Sequence, residues 1–289
     1  MFVIAGVSGR TGAVAAETLL GAKQKVRVLA RSAEKAARFA ERGAEVSSVD
    51  LENVDALTQA LRGAAGAYLL LPPFGWTETG FAERRKAFAQ GIVDAVKAAR
   101  PAHVVLLSSV GAQHEAGTGP IASLNPIERG LAASGVPSTF LRAAYFQENW
   151  AASIPGALEA GALYNGLSQD LKFSQVATRD IGRMAAKLLL EPVKSGTRTI
   201  ELAGPEEYSL EDTARLIGKV AKKDLKAVSV PLEAMKQALM GMGASSDVAD
   251  LYVEMTGALN AGKVAWEGGK AQLVRGDIGL EETLRGIIS

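Results

Sequence analysis

The chain begins with MFVIAGVSGRTG, residues 1–12, in which a short apolar run leads directly into three glycines with the spacing GxxGxxG. The run has the length and character of a buried strand, and an apolar helical pattern follows near residues 11–20. Glycines at such a junction allow a tight turn, close approach of a pyrophosphate to the backbone and close packing of helix on strand. The alternative is a tight turn without a ligand. The residues of this predicted dinucleotide loop are Gly6, Val7, Ser8, Gly9, Arg10, Thr11 and Gly12.

The first half of the sequence continues with short apolar runs that alternate with longer helical patterns. Strands connected through helices form right-handed crossovers and build a parallel sheet. The runs show little polar alternation, which is typical of strands covered by helices on both faces. We predict strands at residues 2–5, 26–30, 45–49, 67–71, 104–107 and 138–141, with helices at 11–20, 33–42, 54–61, 80–99 and 126–133.

The pattern changes after about Arg142, where helices outnumber strands. Ser209 is a suitable N-cap with Asp212 three residues later as its capping-box partner. Four methionines, Met235, Met240, Met242 and Met255, are either core filling or an adaptable lining for an apolar ligand. We predict helices at residues 145–160, 178–190, 210–221, 232–242 and 247–259, and strands at 199–202 and 227–230.

Composition excludes several kinds of chemistry. The chain has 289 residues, no cysteine, two histidines (His103 and His114) and a net charge of +1. These counts remove disulfides, thiolate sites and cysteine nucleophiles, and they leave too few histidines for a histidine-rich metal site, so we predict no metal. The charge favours neither nucleic acid nor an anionic membrane. No apolar run reaches the ~18 residues that a membrane helix needs, and the first run is a strand rather than a signal peptide. We predict a cytoplasmic protein that binds a small molecule.

The end of the second predicted strand indicates which dinucleotide is bound. An acidic residue there would accept the ribose 2′-hydroxyl of NAD, but the chain has Arg31-Ser32, with Lys35 one turn further. A cation can pair with a 2′-phosphate, and Arg10 could join it. We therefore predict NADP(H). The alternative is that Arg31 is only a solvated residue at the start of a helix and that both NADP(H) and NAD(H) are used.

The ends of the third and fourth predicted strands supply further candidates. Asp50 could accept from the adenine amino group while Leu51 packs on the ring; the alternative for Asp50 is an N-cap. Leu71 and Pro72 end the fourth strand and turn the chain over the expected cofactor. All four are predicted to bind the cofactor.

Several later segments, together with the glycine loop, resemble the NmrA-like branch of the atypical short-chain dehydrogenase/reductases. The segment at 104–112 is similar to its fifth strand with the serine pair Ser108-Ser109, and the segment at 134–142 is similar to its sixth-strand signature. The other similar segments are residues 145–149, 176–182 and 202–206. The resemblance covers most of the chain and is nearest to the type-2 quinone oxidoreductases and triphenylmethane reductases.

This resemblance implies a Rossmann-type doubly wound parallel sheet with a smaller C-terminal α/β substrate subdomain. The expected division is an NAD(P)-binding domain at residues 1–150 and a substrate-covering part at 151–289, some of whose segments return to the first domain. A homodimer is compatible with helices on both faces. Some members of the branch reduce quinones or aromatic dyes, and others are non-catalytic, redox-sensing regulators.

The Tyr-x-x-x-Lys pair of short-chain dehydrogenases is absent, since no tyrosine has a lysine four residues later. Hydride transfer to a quinone or dye does not depend on a side chain that donates a proton. We therefore predict an NADPH-dependent reductase of quinone-like or conjugated aromatic acceptors. The alternative is a non-catalytic NADP(H)-sensing regulator or binding protein. The candidate catalytic residues are Ser109, Tyr145 and Asn149. Ser108 and Ser109 are predicted cofactor contacts. The candidate acceptor-binding residues are Phe74, Trp76, Tyr145, Phe146, Asn149 and Trp150.

Overall fold

The computed structural model describes residues 1–72, 75–77, 79–269 and 271–288. Within them, eight parallel strands form one sheet: β1 (Phe2–Ile4), β2 (Val26–Ala30), β3 (Glu45–Ser48), β4 (Gly66–Leu70), β5 (Val104–Ser109), β6 (Ser138–Ala143), β10 (Thr197–Ala203) and β13 (Gln272–Arg275). Their order across the sheet is β13-β10-β6-β5-β4-β1-β2-β3. Successive strands are added towards one edge from β1 to β3 and towards the other edge from β4 onwards. The position between β1 and β4 is therefore the switch point at which doubly wound sheets bind ligands.

Helices cover both faces of this sheet, as predicted from its apolar strands. One face carries α1 (Arg10–Gly21), α2 (Ala37–Ala40) and α7 (Thr178–Leu190), and the other carries α3 (Val54–Leu61), α4 (Phe81–Ala99) and α5 (Asn125–Ala133). Gly182 lets α7 approach α1 closely, because a Cβ atom there would lie 2.5 Å from Cβ of Val14. The predicted doubly wound α/β fold is confirmed.

The remaining elements lie beyond β6. A three-stranded sheet joins β7 (Tyr145–Phe146), β9 (Phe173–Val176) and β11 (Glu207–Tyr208), and a parallel pair joins β8 (Ala162–Asn165) and β12 (Lys226–Ser229). The helices are α6 (Ile154–Ala160), α8 (Leu210–Ala221), α9 (Leu232–Gly241), α10 (Ser246–Asn260) and α11 (Leu280–Ile288). Ser209 and Asp212 form the predicted capping box of α8.

The predicted helix at residues 145–160 is wrong in its first half. Residues 145 and 146 form β7, which pairs with β9, and a 3₁₀ turn at Gln147–Ala152 leads into α6. The pairing partner lies some thirty residues later in the sequence, so local periodicity could not reveal it. In the second half of the chain, β10 and β13 belong to the large sheet, and α7 packs on one of its faces. The division near residue 150 stays a prediction.

His103 is buried at the start of β5, at the end of the sheet opposite the glycine loop. Its Nε2 atom lies 3.0 Å from Oγ1 of Thr139. Burial, together with the nearby Arg198 cation, lowers the pKa of His103 from its ordinary 6.5 to about 4. Its position and its neutral state fit a structural role.

The stability of the protein is therefore expected to fall as the pH drops from 6.5 towards 4. In this range the unfolded chain binds a proton at His103 that the folded chain does not, so lowering the pH favours unfolding by up to about 3 kcal/mol. Urea unfolding at about pH 7 and pH 4.5 measures the effect. The variant His103→Gln should show a correspondingly flatter pH dependence, and an unchanged dependence would contradict the assignment.

Candidate functional site

The glycine loop connects β1 to α1 at the switch point of the sheet. Gly6 has φ +70°, in the left-handed region that glycine tolerates at little cost. A Cβ atom on Gly12 would lie 2.4 Å from the carbonyl oxygen of Ala5 and 2.5 Å from that of Gly6, so α1 packs directly on the strand end. The face of Gly9 is open, because a Cβ there would meet only the Gly6 oxygen at 3.3 Å. Gly6 thus allows the turn, Gly9 leaves a free surface on the loop, and Gly12 allows the close contact between α1 and the strand end.

The N-terminus of α1 is free to accept an anion. Gly9 occupies the N-cap position without a side-chain cap, and the first turn holds no acidic residue. The hydroxyl of Thr11 is buried and accepts from Tyr68 Oη at 2.9 Å, which ties α1 to β4. Uncapped N–H groups and the positive helix end would favour a phosphate at this loop. The loop therefore fits a dinucleotide pyrophosphate.

A recess of about 220 Å³ extends from the glycine loop along the ends of β2, β3 and β4. Its lining includes the predicted cofactor residues Gly6, Ser8, Arg31, Lys35, Asp50, Leu51 and Pro72. The Asp50 carboxylate accepts the Glu52 N–H at 3.1 Å, whereas Asn53 caps α3 by accepting the Ala56 N–H. The alternative of Asp50 as the helix cap is therefore wrong.

Basic side chains surround the outer end of this recess. Arg31 and Lys35 are exposed, and neither forms an ion pair with any residue that the structure describes. A second recess of about 500 Å³ is lined by Val7, Ser8, Lys35 and Arg38. Arg38, which the sequence reasoning missed, lies 3.7 Å from Glu17. Three cations near Ser8 suit a phosphate beside the adenosine half of a dinucleotide.

Besides Gly9, Thr11 and Gly12 at the start of α1, and Ser109, four predicted cofactor residues lie outside these recesses. Arg10 directs Nη1 at the carbonyl oxygen of Glu148, 3.5 Å away, and Ser32 lines neither recess. Leu71 packs into the core on the α3–α4 face, since strand alternation places Leu70 in the recess instead. Ser108 is buried and donates to Glu128 Oε1 at 2.5 Å. Because Arg10 lines neither recess, the structure does not support the prediction that it joins Arg31 at a 2′-phosphate.

A separate cavity of about 410 Å³ lies at the carboxyl ends of β5 and β6. Ser109, Ala144, Tyr145, Phe146 and Asn149 line it on the side of the large sheet. The rest of the wall comes from the second half of the chain, namely Leu171, Phe173, Met255, Leu259, Val264 and Trp266. The cavity is mainly apolar, so it suits a flat hydrophobic molecule.

Tyr145 and Asn149 form a polar pair in this cavity wall. Their side chains are hydrogen-bonded, and burial together with the nearby Tyr252 raises the pKa of the Tyr145 phenol. The Tyr145 ring lies 5.6 Å from the Trp150 ring and 5.5 Å, edge-on, from the Phe173 ring. Tyr145 is therefore a neutral, fixed hydrogen-bonding group. The Ser109 hydroxyl donates to the neighbouring Val110 carbonyl at 3.0 Å.

Two predicted acceptor residues that the structure describes, Trp150 and Trp76, do not line this wall. Trp150 is 1% exposed and donates from Nε1 to Gln175 Oε1 at 2.9 Å, so it supports Tyr145 from behind. Trp76 stacks on Tyr252 with 5.3 Å between ring centroids and is 47% exposed. Phe74 lies outside the described residues. Of the four methionines, Met255 lines the cavity, whereas Met240 and Met242 are exposed.

Within the described part of the chain, no group of three or more His, Cys, Asp or Glu side chains is arranged to hold a metal ion. In the same residues, no helix is both long and apolar enough to span a membrane.

The sequence matches the NmrA-like family over residues 1–273. It is 25% identical over 255 residues to the NAD(P)H azoreductase of Xenophilus azovorans, covering 88% of this chain and 86% of that one. It is 28% identical over 259 residues to quinone oxidoreductase 2 of Escherichia coli strain K12, again covering 88% and 86%. The NADPH complex of an E. coli NADPH-dependent quinone oxidoreductase has a TM-score of 0.83 and 24% identity, covering 100% of both chains.

The parallel sheet, with a glycine loop at its switch point, defines a Rossmann-type α/β protein. More specifically, the match over residues 1–273 shows that the chain belongs to the NmrA-like family. The predicted family resemblance is confirmed.

Proposed function

We propose that the protein is an NADPH-dependent reductase of quinones and other conjugated aromatic acceptors. The observation that carries this proposal is the apolar, aromatic-lined cavity at the same edge of the sheet as the glycine loop. The names of two relatives, an azoreductase and a quinone oxidoreductase, support the same acceptor class.

The cofactor site is proposed from the cradle that the loop forms. The uncapped start of α1 would bind the pyrophosphate, Asp50 and Leu51 would contact the adenine, and Arg31 with Lys35 and Arg38 would bind the 2′-phosphate. When bound, NADPH supplies a hydride to an acceptor held against its nicotinamide. These contacts favour NADPH over NADH.

The acceptor cavity would orient its ligand by stacking and hydrogen bonding. Phe146, Phe173 and Trp266 offer apolar surfaces for a flat ring. The Asn149 amide and the neutral Tyr145 hydroxyl can donate to an acceptor oxygen, where negative charge develops during reduction. A proton from water completes the product, so the missing Tyr-x-x-x-Lys pair does not prevent this reaction.

The experiment that tests this function follows NADPH oxidation by absorbance with a panel of quinones, azo dyes and triphenylmethane dyes. Turnover of at least one class at a rate well above the acceptor-free rate is expected. Tight NADPH binding without turnover on any acceptor would overturn the proposal and favour the regulator or binding-protein function.

The variant Asn149→Ala is expected to lower kcat on a quinone by about 10-fold, because one hydrogen bond to the developing oxyanion is lost. The dissociation constant of NADPH should change by less than about twofold, since no adenosine-side contact is altered. Stopped-flow kinetics and a cofactor titration measure the two effects. Asn149→Asp is the matched control for size: it keeps the side-chain volume but lacks the N–H donor, so it should lose at least as much activity. Full activity in both variants would remove Asn149 from the site.

A cytoplasmic location and a homodimeric assembly remain predictions, which cell fractionation and light scattering would check.

A further inference from the structure

The outer wall of the acceptor cavity includes a short segment between α10 and β13. We call residues 262–269 the strap. Gly262, Val264, Ala265 and Trp266 of the strap line the cavity. Gly262 (φ +69°) and Gly268 (φ +72°) lie near its two ends in the left-handed region, and no described atom lies within 4 Å of a Cβ built on either. The strap is thus bracketed by positions at which the backbone can turn with little hindrance.

The first part of the strap is held by the loop that follows β5. Lys263 Nζ donates to the Ala116 carbonyl at 2.9 Å, and Gln113 Nε2 donates to the Ala265 carbonyl at 2.9 Å. A Cβ on Gly111 would lie 3.3 Å from Val264 Cγ1, so the two segments are in close contact. Both hydrogen bonds lie at the exposed surface.

The second part of the strap is held by a charged network from the large sheet. Arg142 on β6 donates from Nη1 to Glu267 Oε2 at 2.7 Å. The N–H of Glu267 donates to Glu201 Oε1 on β10 at 2.7 Å. Arg142 is fixed in turn by Glu128 on α5, through Nε at 3.0 Å and Nη2 at 2.7 Å. Strands β6 and β10 therefore determine where Trp266 lies.

The two ion pairs of Arg142 differ in exposure. The side chains of Arg142 and Glu128 are 6% and 7% exposed, whereas that of Glu267 is 26% exposed. If the Arg142–Glu267 ion pair separates, water can solvate the partly exposed carboxylate of Glu267. Separation of the Arg142–Glu128 pair costs far more, because the carboxylate of Glu128 is buried. The link between Arg142 and Glu267 is therefore the part of the network that can open while the rest remains intact.

We propose that Arg142 and Glu267 are positioning residues for the acceptor site: their ion pair latches the strap, and the latched strap sets which acceptors fit. The inference rests on the proposed reductase function. With the latch closed, Trp266 and Val264 give the cavity a fixed wall that favours flat, compact rings. Release of Glu267 lets the strap move away about its glycines and admits bulkier, non-planar acceptors.

Amide hydrogen exchange tests the latch without any turnover. In Glu267→Ala, the strap amides should exchange about 10-fold faster, because a partly buried charged hydrogen bond is lost. Glu267→Gln keeps an oxygen acceptor for Arg142 and should give a smaller increase. Glu282→Ala is the matched control: it removes an exposed glutamate of α11 from its ion pair with Arg179 of α7 and should leave the strap unchanged. Unaltered strap exchange in Glu267→Ala would overturn the latch.

The selectivity claim is tested by acceptor binding to the protein loaded with NADP⁺, which cannot deliver a hydride. We compare the dissociation constants of a naphthoquinone and of a triphenylmethane dye. In Glu267→Ala their ratio should shift by about 10-fold towards the dye, while NADP⁺ affinity stays within about twofold. If Glu267 had a purely structural role, its replacement would weaken the binding of both ligands equally. An unchanged ratio of the two dissociation constants would therefore overturn the proposal.

Both readouts remain valid if the wild-type protein reduces nothing. Absence of turnover would refute the proposed function alone, whereas unchanged exchange or an unchanged binding ratio would refute the strap proposal alone.

Discussion

Replacement of Arg31 by aspartate is expected to raise the dissociation constant of NADPH by about 100-fold and that of NADH by no more than about threefold. Arg31 is exposed at the end of β2 and makes no ion pair among the described residues, so its guanidinium is available to a ligand. Aspartate removes a charge-assisted contact and places a negative charge beside a 2′-phosphate. The same carboxylate can accept from the 2′-hydroxyl of NADH, which explains the small effect on that cofactor.

Titration of intrinsic fluorescence with each cofactor measures both constants without the need for an acceptor. Arg42→Asp is the matched control, because Arg42 is an exposed arginine that lies between α2 and β3 and lines neither recess. It reproduces the change in net charge and should alter NADPH binding by less than about threefold. Equal weakening of NADPH and NADH in Arg31→Asp would contradict the 2′-phosphate contact.

Most residues predicted for the cofactor half of the candidate site lie close together in the structure, because their signals are local in the sequence. Gly6, Gly9 and Gly12 lie within seven residues of one another; Arg31 follows β2 directly, and Asp50 lies two residues beyond β3. In a parallel sheet, the residues just beyond neighbouring strands meet at one edge, so their proximity follows from the alternation of strands and helices. Leu71 differs from the others: it packs against the core on the α3–α4 face, and its neighbour Leu70 lines the recess instead.

The acceptor half was less predictable, because its wall is assembled from distant segments. Phe173 reaches the cavity through the pairing of β9 with β7, and Trp266 does so through the contacts of Glu267 with Arg142 and Glu201. Neither contact leaves a periodic signal in the sequence. Trp150 is predicted to contact the acceptor because it is an aromatic residue beside Asn149. Its ring nitrogen instead donates to the buried Gln175, and the ring is itself buried.

Gly12→Ala is expected to destabilise the protein by about 2–4 kcal/mol and to weaken binding of both NADPH and NADH. The added methyl carbon would lie 2.4 Å and 2.5 Å from two backbone oxygens, those of Ala5 and Gly6, and neither can rotate away as a side chain could. Helix α1 must therefore move away from β1. This displacement changes the loop itself, so the discrimination between the two cofactors should stay nearly constant while both affinities fall.

The other end of the same helix offers a control with the opposite expected sign. Gly21 is the last residue of α1, and a Cβ there meets nothing within 4 Å among the described atoms. Gly21→Ala should therefore be neutral or stabilising by up to about 1 kcal/mol, because alanine restricts the unfolded chain and favours a helix. Urea unfolding of both variants measures the contrast. Both substitutions are the same chemical change in the same helix, so we attribute a difference in the sign of their effects on stability to the contact at Gly12. Equal, small changes at both positions would mean that α1 is not packed on β1 through Gly12.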